Sequence, residues 1–475
     1  MRILLVRPPR IKQAITIGEF MFCEPVGLES VYRVLAPDNT VRIHDMMVNN
    51  TDIVAECISW KPDVVGLTSL CVDVNNVLAL ARQVKTHDSG IITMVGGTQA
   101  FLQSQCFQDD SIDHIMQYTT TDNLKQLIAS LAAGGSVPLL DGVLSRVNGY
   151  KSTGVKGYNE YIVPDTFATK QYRQHYSYFG YKPCAIMQTS QGCSKHCRFC
   201  LRWRLEGGIE LPQDMAVVFD QIRRTAEPSI MIYDNDFLCD GSRLEQLCDL
   251  LEKHGIAKNF MCYGSVHSIL KNRAAVARFA KNGLRAVLVG YESFNPHELA
   301  QYEKKSTVDD NLEAARFLKQ IRVDAWASFM MHPDWAAGDF RKFRRYIRQL
   351  HPEISSMTPL TPFPNLPLFE EFKDRLLIAV EDYDKWSFGS VSIMPSKMSL
   401  RRYYLQILVT NVYVNLFMNN TFYLVRKFGV GTLFRLLAGS VRLMKRYVLL
   451  MLHSGEQEAA LLARLNRSGM RSIER

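Results

Sequence analysis

Between Arg2 and Val95 the chain alternates short apolar runs with helical stretches, and this alternation constrains the fold more than any other feature. Arg2 to Val6, Val41 to Ile43, Val64 to Leu67 and Ile91 to Val95 read as buried strands, and Val74 to Lys85 reads as one of the intervening helices. Strands separated by helices pair in parallel, so an α/β doubly wound sheet is expected. Ligands of such sheets lie at the carboxyl ends of the strands. Those ends carry Arg7-Pro8-Pro9, Asp45, Thr68-Ser69-Leu70 and Gly96-Gly97. A Gly-Gly pair lets another molecule approach the backbone closely, although a tight strand-to-helix turn would use it equally well.

After a Gly-, Tyr- and Lys-rich connector over 141–183, a second series of strand-like runs begins. Its members are Cys184 to Gln188, Ile230 to Asp234, Asn259 to Tyr263, Ala286 to Gly290, Ala325 to Met331 and a weaker Ile354 to Thr358. The first leads into Cys193, Cys197 and Cys200, at C-x3-C-x2-C spacing. Three thiolates so placed suit three irons of a cubane cluster and leave the fourth iron open, whereas clusters held for electron transfer usually have every iron ligated. A zinc site would need a fourth protein ligand, and none sits at finger spacing beyond Cys200.

The cysteine run, with Phe199 just before its last member, resembles the signature of the radical S-adenosylmethionine (SAM) enzymes. The resemblance implies a [4Fe-4S] cluster, SAM chelated to the open iron, an external electron donor, and reductive cleavage of SAM to a 5′-deoxyadenosyl radical. It also implies a partial (β/α)6 barrel over 184–380, with working residues at the strand ends. By the same resemblance Asp234 and Asp236 lie where the family binds the methionine end of SAM, Glu292 and Ser293 lie near the ribose, and Ser265 adds a hydroxyl. For any one of these, helix capping is a competing reading. His332 stands where relatives often carry glycine, and it could move protons or be an ordinary surface histidine. Tyr291 and Trp335 are candidate substrate-contacting aromatics. The proline-dense Thr358 to Pro367 reads as a rigid loop.

The first series has a resemblance of its own. Thr68-Ser69-Leu70, followed roughly thirty residues on by Gly96-Gly97, is similar to the pattern of Rossmann-like cobalamin-binding domains, here over 1–140, and Glu24-Pro25-Val26-Gly27-Leu28 is similar to a P-x-G-L segment of that branch. The D-x-H-x-x-G element that ligates cobalt in many such domains has no match around Phe22 to Gly27. A degenerate domain without cobalamin is the alternative. Cys23, Cys57, Cys71 and Cys106 raise a rival, a second cluster as in the methylthiotransferases, but cysteine is a common core residue.

Eleven cysteines, an odd number, in a long chain without a signal-peptide pattern suggest a reducing cytoplasm. The formal charge of +9 is concentrated. Lys385 to Gly455 holds ten basic residues and no acidic one. Within this helical C-terminal region, 381–475, Tyr403 to Val425 is uncharged and long enough to cross a bilayer. Asn411, Asn415 and Asn419 draw a polar stripe along it, so a wet helix face is expected instead. In the next segment Lys427, Arg435, Arg442, Lys445 and Arg446 share an arc of about 100°. Such helices could lie peripherally on an anionic membrane or cap the barrel; nucleic acid suits so broad an apolar face poorly.

Taken together, these features lead us to expect a cobalamin-dependent radical SAM enzyme, methylating an unactivated carbon of a hydrophobic or lipid-like substrate. A cyclase or oxidative rearrangement enzyme is the near rival, and a non-catalytic cluster and cobalamin sensor the distant one.

Overall fold

The computed structural model describes residues 1–9, 21–135, 137–178, 180–418 and 421–467. Its strands are β1 (Arg2–Arg7), β2 (Thr40–Asp45), β3 (Val64–Thr68), β4 (Ile92–Gly96), β5 (His114–Met116), β6 (Val143–Ser145), β7 (Ala185–Met187), β8 (Ser190–Gln191), β9 (Leu211–Pro212), β10 (Ser229–Ile232), β11 (Asn259–Gly264), β12 (Leu284–Glu292), β13 (Asp324–Met331) and β14 (Ile354–Pro359).

The first sheet has the order β2-β1-β3-β4-β5-β6, parallel except for β6. In β1, Leu4 and Val6 enter one core while Ile3 and Leu5 enter the other. Helices therefore cover both faces of the sheet, and this is why the strand reads as an unbroken apolar run. The chain places β2 on one side of β1 and β3 on the other, and the reversal opens a crevice at the carboxyl ends. Strand β6 falls within the segment expected to be a connector, where it pairs antiparallel with β5.

The second sheet runs β7-β10-β11-β12-β13-β14, parallel and in chain order, the topology of a partial barrel with two open edges. Successive residues again separate by face. Ala185, Ile230 and Phe260 pack under the outer helices, while Ile186, Met231 and Met261 line the inner core. Cys23 and Val26 of the first domain and Phe428 and Leu436 of the C-terminal region enter that inner core as well.

The C-terminal helices Leu400–Tyr413, Thr421–Phe428, Val430–Leu452 and Ser454–Arg467 are not a detached tail. Leu400, Tyr403, Tyr404 and Tyr447 belong to the barrel's main core, and Tyr403 donates its hydroxyl to the Met331 carbonyl at 2.9 Å. The expected wet stripe is reversed. Asn411 is 6% exposed and donates to the Ile407 carbonyl at 3.0 Å, while Leu416 is 68% exposed. Asn419 lies outside the described residues. Lys427 leaves the expected cationic arc, pairing instead with Asp324 at the start of β13. No helix among the described residues is long and apolar enough to cross a membrane.

Candidate functional site

The cysteine loop begins at Gly192, which takes a φ of +86°; a Cβ there would stand 1.9 Å from the Ile209 carbonyl oxygen. Only glycine fits that approach. The loop is then clamped from the end of β10. Asn235 donates to the Gly192 carbonyl at 2.7 Å and to Glu206 at 2.9 Å, and Glu206 accepts the Gly192 N–H at 3.1 Å. Arg202 closes the clamp, donating to Asn235 at 2.7 Å, pairing with Glu206 at 2.9 Å, and lying over the Tyr233 ring at 4.7 Å. Sequence reasoning passed over Asn235, Arg202 and Glu206. The readable signal was the i,i+4 spacing of Arg202 and Glu206 just beyond Cys200.

Cys197 is buried, and Cys193 and Cys200 are half-buried. Burial pushes all three thiols up, Cys200 to about 11, while Lys195 and Lys304 pull Cys197 down. Iron deprotonates a coordinating thiol outright, so this donor set fits a cluster. Among the described residues no three His, Cys, Asp or Glu side chains converge on a single-ion site, and a cluster, spreading its thiolates over three irons, requires no such convergence. Phe199 turns back onto Tyr302, with ring centroids 5.6 Å apart.

Beside Cys197 a narrow pocket is lined by Lys195, Ser265, Glu303 and Lys304. Behind two of these residues lies buried Asp236, which accepts from the Ser265 N–H at 2.9 Å, the Ser265 hydroxyl at 2.8 Å and the Ser268 hydroxyl at 2.7 Å. The Lys195 ammonium sits in this nest, paired with Asp236, and burial lowers it to about 8. A nest that holds one ammonium suits the amino group of an amino acid. Glu292 adopts a φ of +63° and pairs with Lys304 at 3.2 Å. Burial works against the Lys304 charge, but Glu292 and the neighbouring Cys197 and Cys200 together raise it, and the net shift is upward.

Two expected SAM contacts are engaged elsewhere. Asp234 is buried and accepts the Thr189 N–H at 2.6 Å and its hydroxyl at 2.5 Å, tying β10 to the end of β7; burial raises its carboxyl to about 6. Ser293 is fully buried; its hydroxyl donates to Glu298 and accepts the Asn295 N–H at 3.0 Å. Ser265, besides meeting Asp236, caps the helix Val266–Lys271. His332 is buried, accepting the Asp334 N–H on Nδ1 at 3.1 Å, so it is no surface histidine. Tyr291 stacks on Phe329 in the core, and Trp335 donates to buried Glu298 at 2.6 Å. Both aromatics are buried in the core.

The large cleft lies between the two domains and encloses about 1530 Å³ of empty space out to its open mouth. From the first sheet come Thr68, Leu70, Gly96 and Gly97; from the barrel come Gln191, Arg202 and Tyr233. Gly97 has a φ of +98°, and a Cβ there would meet the Thr68 hydroxyl at 2.7 Å and the Ser69 carbonyl at 2.9 Å. The bare turn leaves the cleft floor open for a bulky group, which fits a corrinoid. Ser69 does not line the cleft; it is buried, takes the Gly96 carbonyl on its N–H at 2.9 Å and donates its hydroxyl to Leu70 at 2.9 Å. Cys57 is buried in the first core, Cys71 and Cys106 are half-buried, and Cys23 lines the cleft.

Two family models match, the B12 binding domain over residues 20–128 and the radical SAM superfamily over 187–347. The hopanoid C-3 methylase of Methylococcus capsulatus is 24% identical, covering 82% of this chain and 76% of that one. The anaerobic magnesium-protoporphyrin IX monomethyl ester cyclase of Rubrivivax gelatinosus is 23% identical, covering 80% and 70%. In fold, the chain matches the cobalamin-dependent S-adenosylmethionine radical enzyme OxsB, solved with aqua-cobalamin and S-adenosylmethionine bound, with a TM-score of 0.69, 15% identity, and coverage of 99% and 75%. The clamped cysteine loop, the open glycine turn across the cleft and the two family matches, which together span more than half of the chain, place this protein among the cobalamin-binding radical SAM enzymes.

Proposed function

We propose that the protein methylates an unactivated carbon of a hydrophobic substrate in the interdomain cleft. The observation that carries this reading is that one cleft is lined both by the Gly96-Gly97 turn and by Gln191 and Arg202, which flank the cysteine loop. When bound, the cluster with SAM supplies a radical that abstracts hydrogen, and cobalamin supplies the methyl group. Cys193, Cys197 and Cys200 hold the cluster. Asp236, Ser265 and Glu292 face the methionine and ribose ends of SAM, and Asp234 and Ser293 fix the loops that carry them. Thr68, Leu70, Gly96 and Gly97 seat the corrinoid, with Ser69 bracing the strand ends beneath.

The remaining wall is apolar. Leu5, Val26, Leu28, Met94, Met116 and Leu124 line it, a surface that suits a hydrophobic substrate or the flank of the corrin ring. Electrons come from an external donor. The hopanoid methylase and the porphyrin ester cyclase to which the chain is similar are named for hydrophobic substrates of different reaction types.

The test uses anaerobically reconstituted protein with methyl-labelled SAM, a strong reductant and a lipid extract. Label in a product carbon together with 5′-deoxyadenosine supports methylation. Deoxyadenosine with an unlabelled, oxidised product selects cyclisation or rearrangement. No SAM cleavage at all rejects an enzymatic role.

A further inference from the structure

The C-terminal helices carry their polarity inside out. Along Leu400–Tyr413 and its continuation, Leu405, Val409, Val412 and Leu416 are exposed at spacings of one helical face, while Thr410 and Asn411 point into the core. Arg344 reaches from the barrel to donate to the Thr410 hydroxyl at 2.9 Å. A helix whose outer face met only water would be expected to show the opposite arrangement.

The long helix Val430–Leu452 repeats the design. Thr432 and Tyr447 are buried against the barrel, and on the opposite side Val430, Phe434, Leu437, Val441, Val448 and Leu452 form an exposed stripe. The two helices pack against each other and both rest on the barrel core through Tyr403, Tyr404 and Tyr447, each turning its apolar stripe outward. The connecting segment adds two more strongly exposed apolar side chains, Phe417 at 68% and Phe422 at 77%. Arg426, Arg435 and Lys445 stand exposed in the same region, and no acidic residue occurs between Lys385 and Gly455. Continuous exposed apolar surface on a soluble face marks a contact.

We infer that this surface docks the protein on an anionic lipid bilayer, with the phenylalanines and leucines entering the acyl boundary and the arginines and lysine meeting headgroup phosphates. Charge selects the occupant. A second copy of the chain would bring like cations together across a two-fold axis, whereas an anionic bilayer supplies both the apolar phase and the countercharge. This docking stands independently of the methylation reading.

Removing the region would strip Tyr403, Tyr404 and Tyr447 from the barrel core, so point variants of the full chain are the proper test. Cosedimentation compares vesicles of phosphatidylglycerol and phosphatidylcholine with vesicles of phosphatidylcholine alone, using the wild type, Leu416→Ser/Phe417→Ser/Phe422→Ser and Arg426→Gln/Arg435→Gln/Lys445→Gln. Expected is binding of the wild type to the anionic vesicles, weakened at least about tenfold on neutral vesicles, at high salt, and in each triple variant, with thermal midpoints unchanged. Wild type that remains in the supernatant with anionic vesicles, or binds neutral ones equally, overturns the inference. So does a wild-type dimer in solution that the serine variant converts to monomer without any vesicle binding, since the surface would then join copies of the chain.

Discussion

Glu24 accepts the backbone N–H of Ile186 at 3.1 Å, so a side chain of the first domain completes the hydrogen bonding of β7, the edge strand of the barrel. The same carboxylate oxygen pairs with buried Arg173. Glu24→Ala leaves a buried cation short of its partner and a strand N–H unpaired. A loss of about 3 kcal/mol is expected in urea unfolding, with Glu24→Gln losing less because it keeps an acceptor for Ile186.

Glu29 lies buried against Glu24, and burial pushes its carboxyl from the usual value up to about 7. In the unfolded chain that carboxyl ionises near 4.5, so between about 4.5 and 7 the unfolded state releases a proton that the folded state still holds. The group's contribution to stability is therefore full below about 4.5 and is lost as pH rises towards 7. Glu29→Gln, which cannot ionise, should lose less stability than the wild type across that interval. Denaturant midpoints at the two ends of the interval measure the difference.

Gly97→Ala places a methyl against the Thr68 hydroxyl and the Ser69 carbonyl at a positive φ. The backbone strain alone costs about 1–3 kcal/mol. Because the turn also floors the cleft, corrinoid affinity in a visible-absorbance titration should fall at least about tenfold, while iron content stays at the wild-type level. Retained corrinoid affinity would show that the turn is only structural.

Asp234 and Asp236 stand two residues apart and do different work. Asp234→Ala removes the acceptor for both Thr189 donors and should cost about 1–3 kcal/mol in stability. Asp236→Asn, which preserves shape but removes the countercharge of the largely buried Lys195, should weaken SAM binding by about tenfold, in addition to a stability loss of about 1–3 kcal/mol. Calorimetric binding of SAM and thermal unfolding on both variants separate the two roles.

The ten expected strands and their parallel arrangement were legible because apolar runs separated by helical segments leave few topologies, and each lies within three residues of its observed bounds, whereas the order β2-β1-β3 was not anticipated. The three-residue β5 and β6 were not expected, nor were the two-residue β8 and β9, whereas the equally short β7 was marked by the cysteine run that follows it. At the site, the cysteine loop and the glycine turn announced themselves through spacing and through glycine itself. The clamp of Asn235, Arg202 and Glu206 did not, because it joins positions up to 43 residues apart in the chain. Sequence could not distinguish Asp236, which meets Lys195 and Ser265, from Asp234, which meets Thr189, because both are acidic residues at one strand end. The asparagine stripe misled for a related reason: periodicity identifies a face, but which face meets the core depends on its neighbours, and here Thr410 and Asn411 are buried, Thr410 against Arg344.

The central claim, that one cleft brings the corrinoid to the cysteine loop, is tested most directly by electron paramagnetic resonance of protein loaded with cob(II)alamin and a reduced cluster. The expected result is a cobalt signal broadened and relaxed faster than in Cys193→Ala/Cys197→Ala/Cys200→Ala protein, which keeps the cleft but cannot hold the cluster. A cobalt signal identical in the two proteins, each with full corrinoid content and the former with full iron content, would contradict a shared cleft.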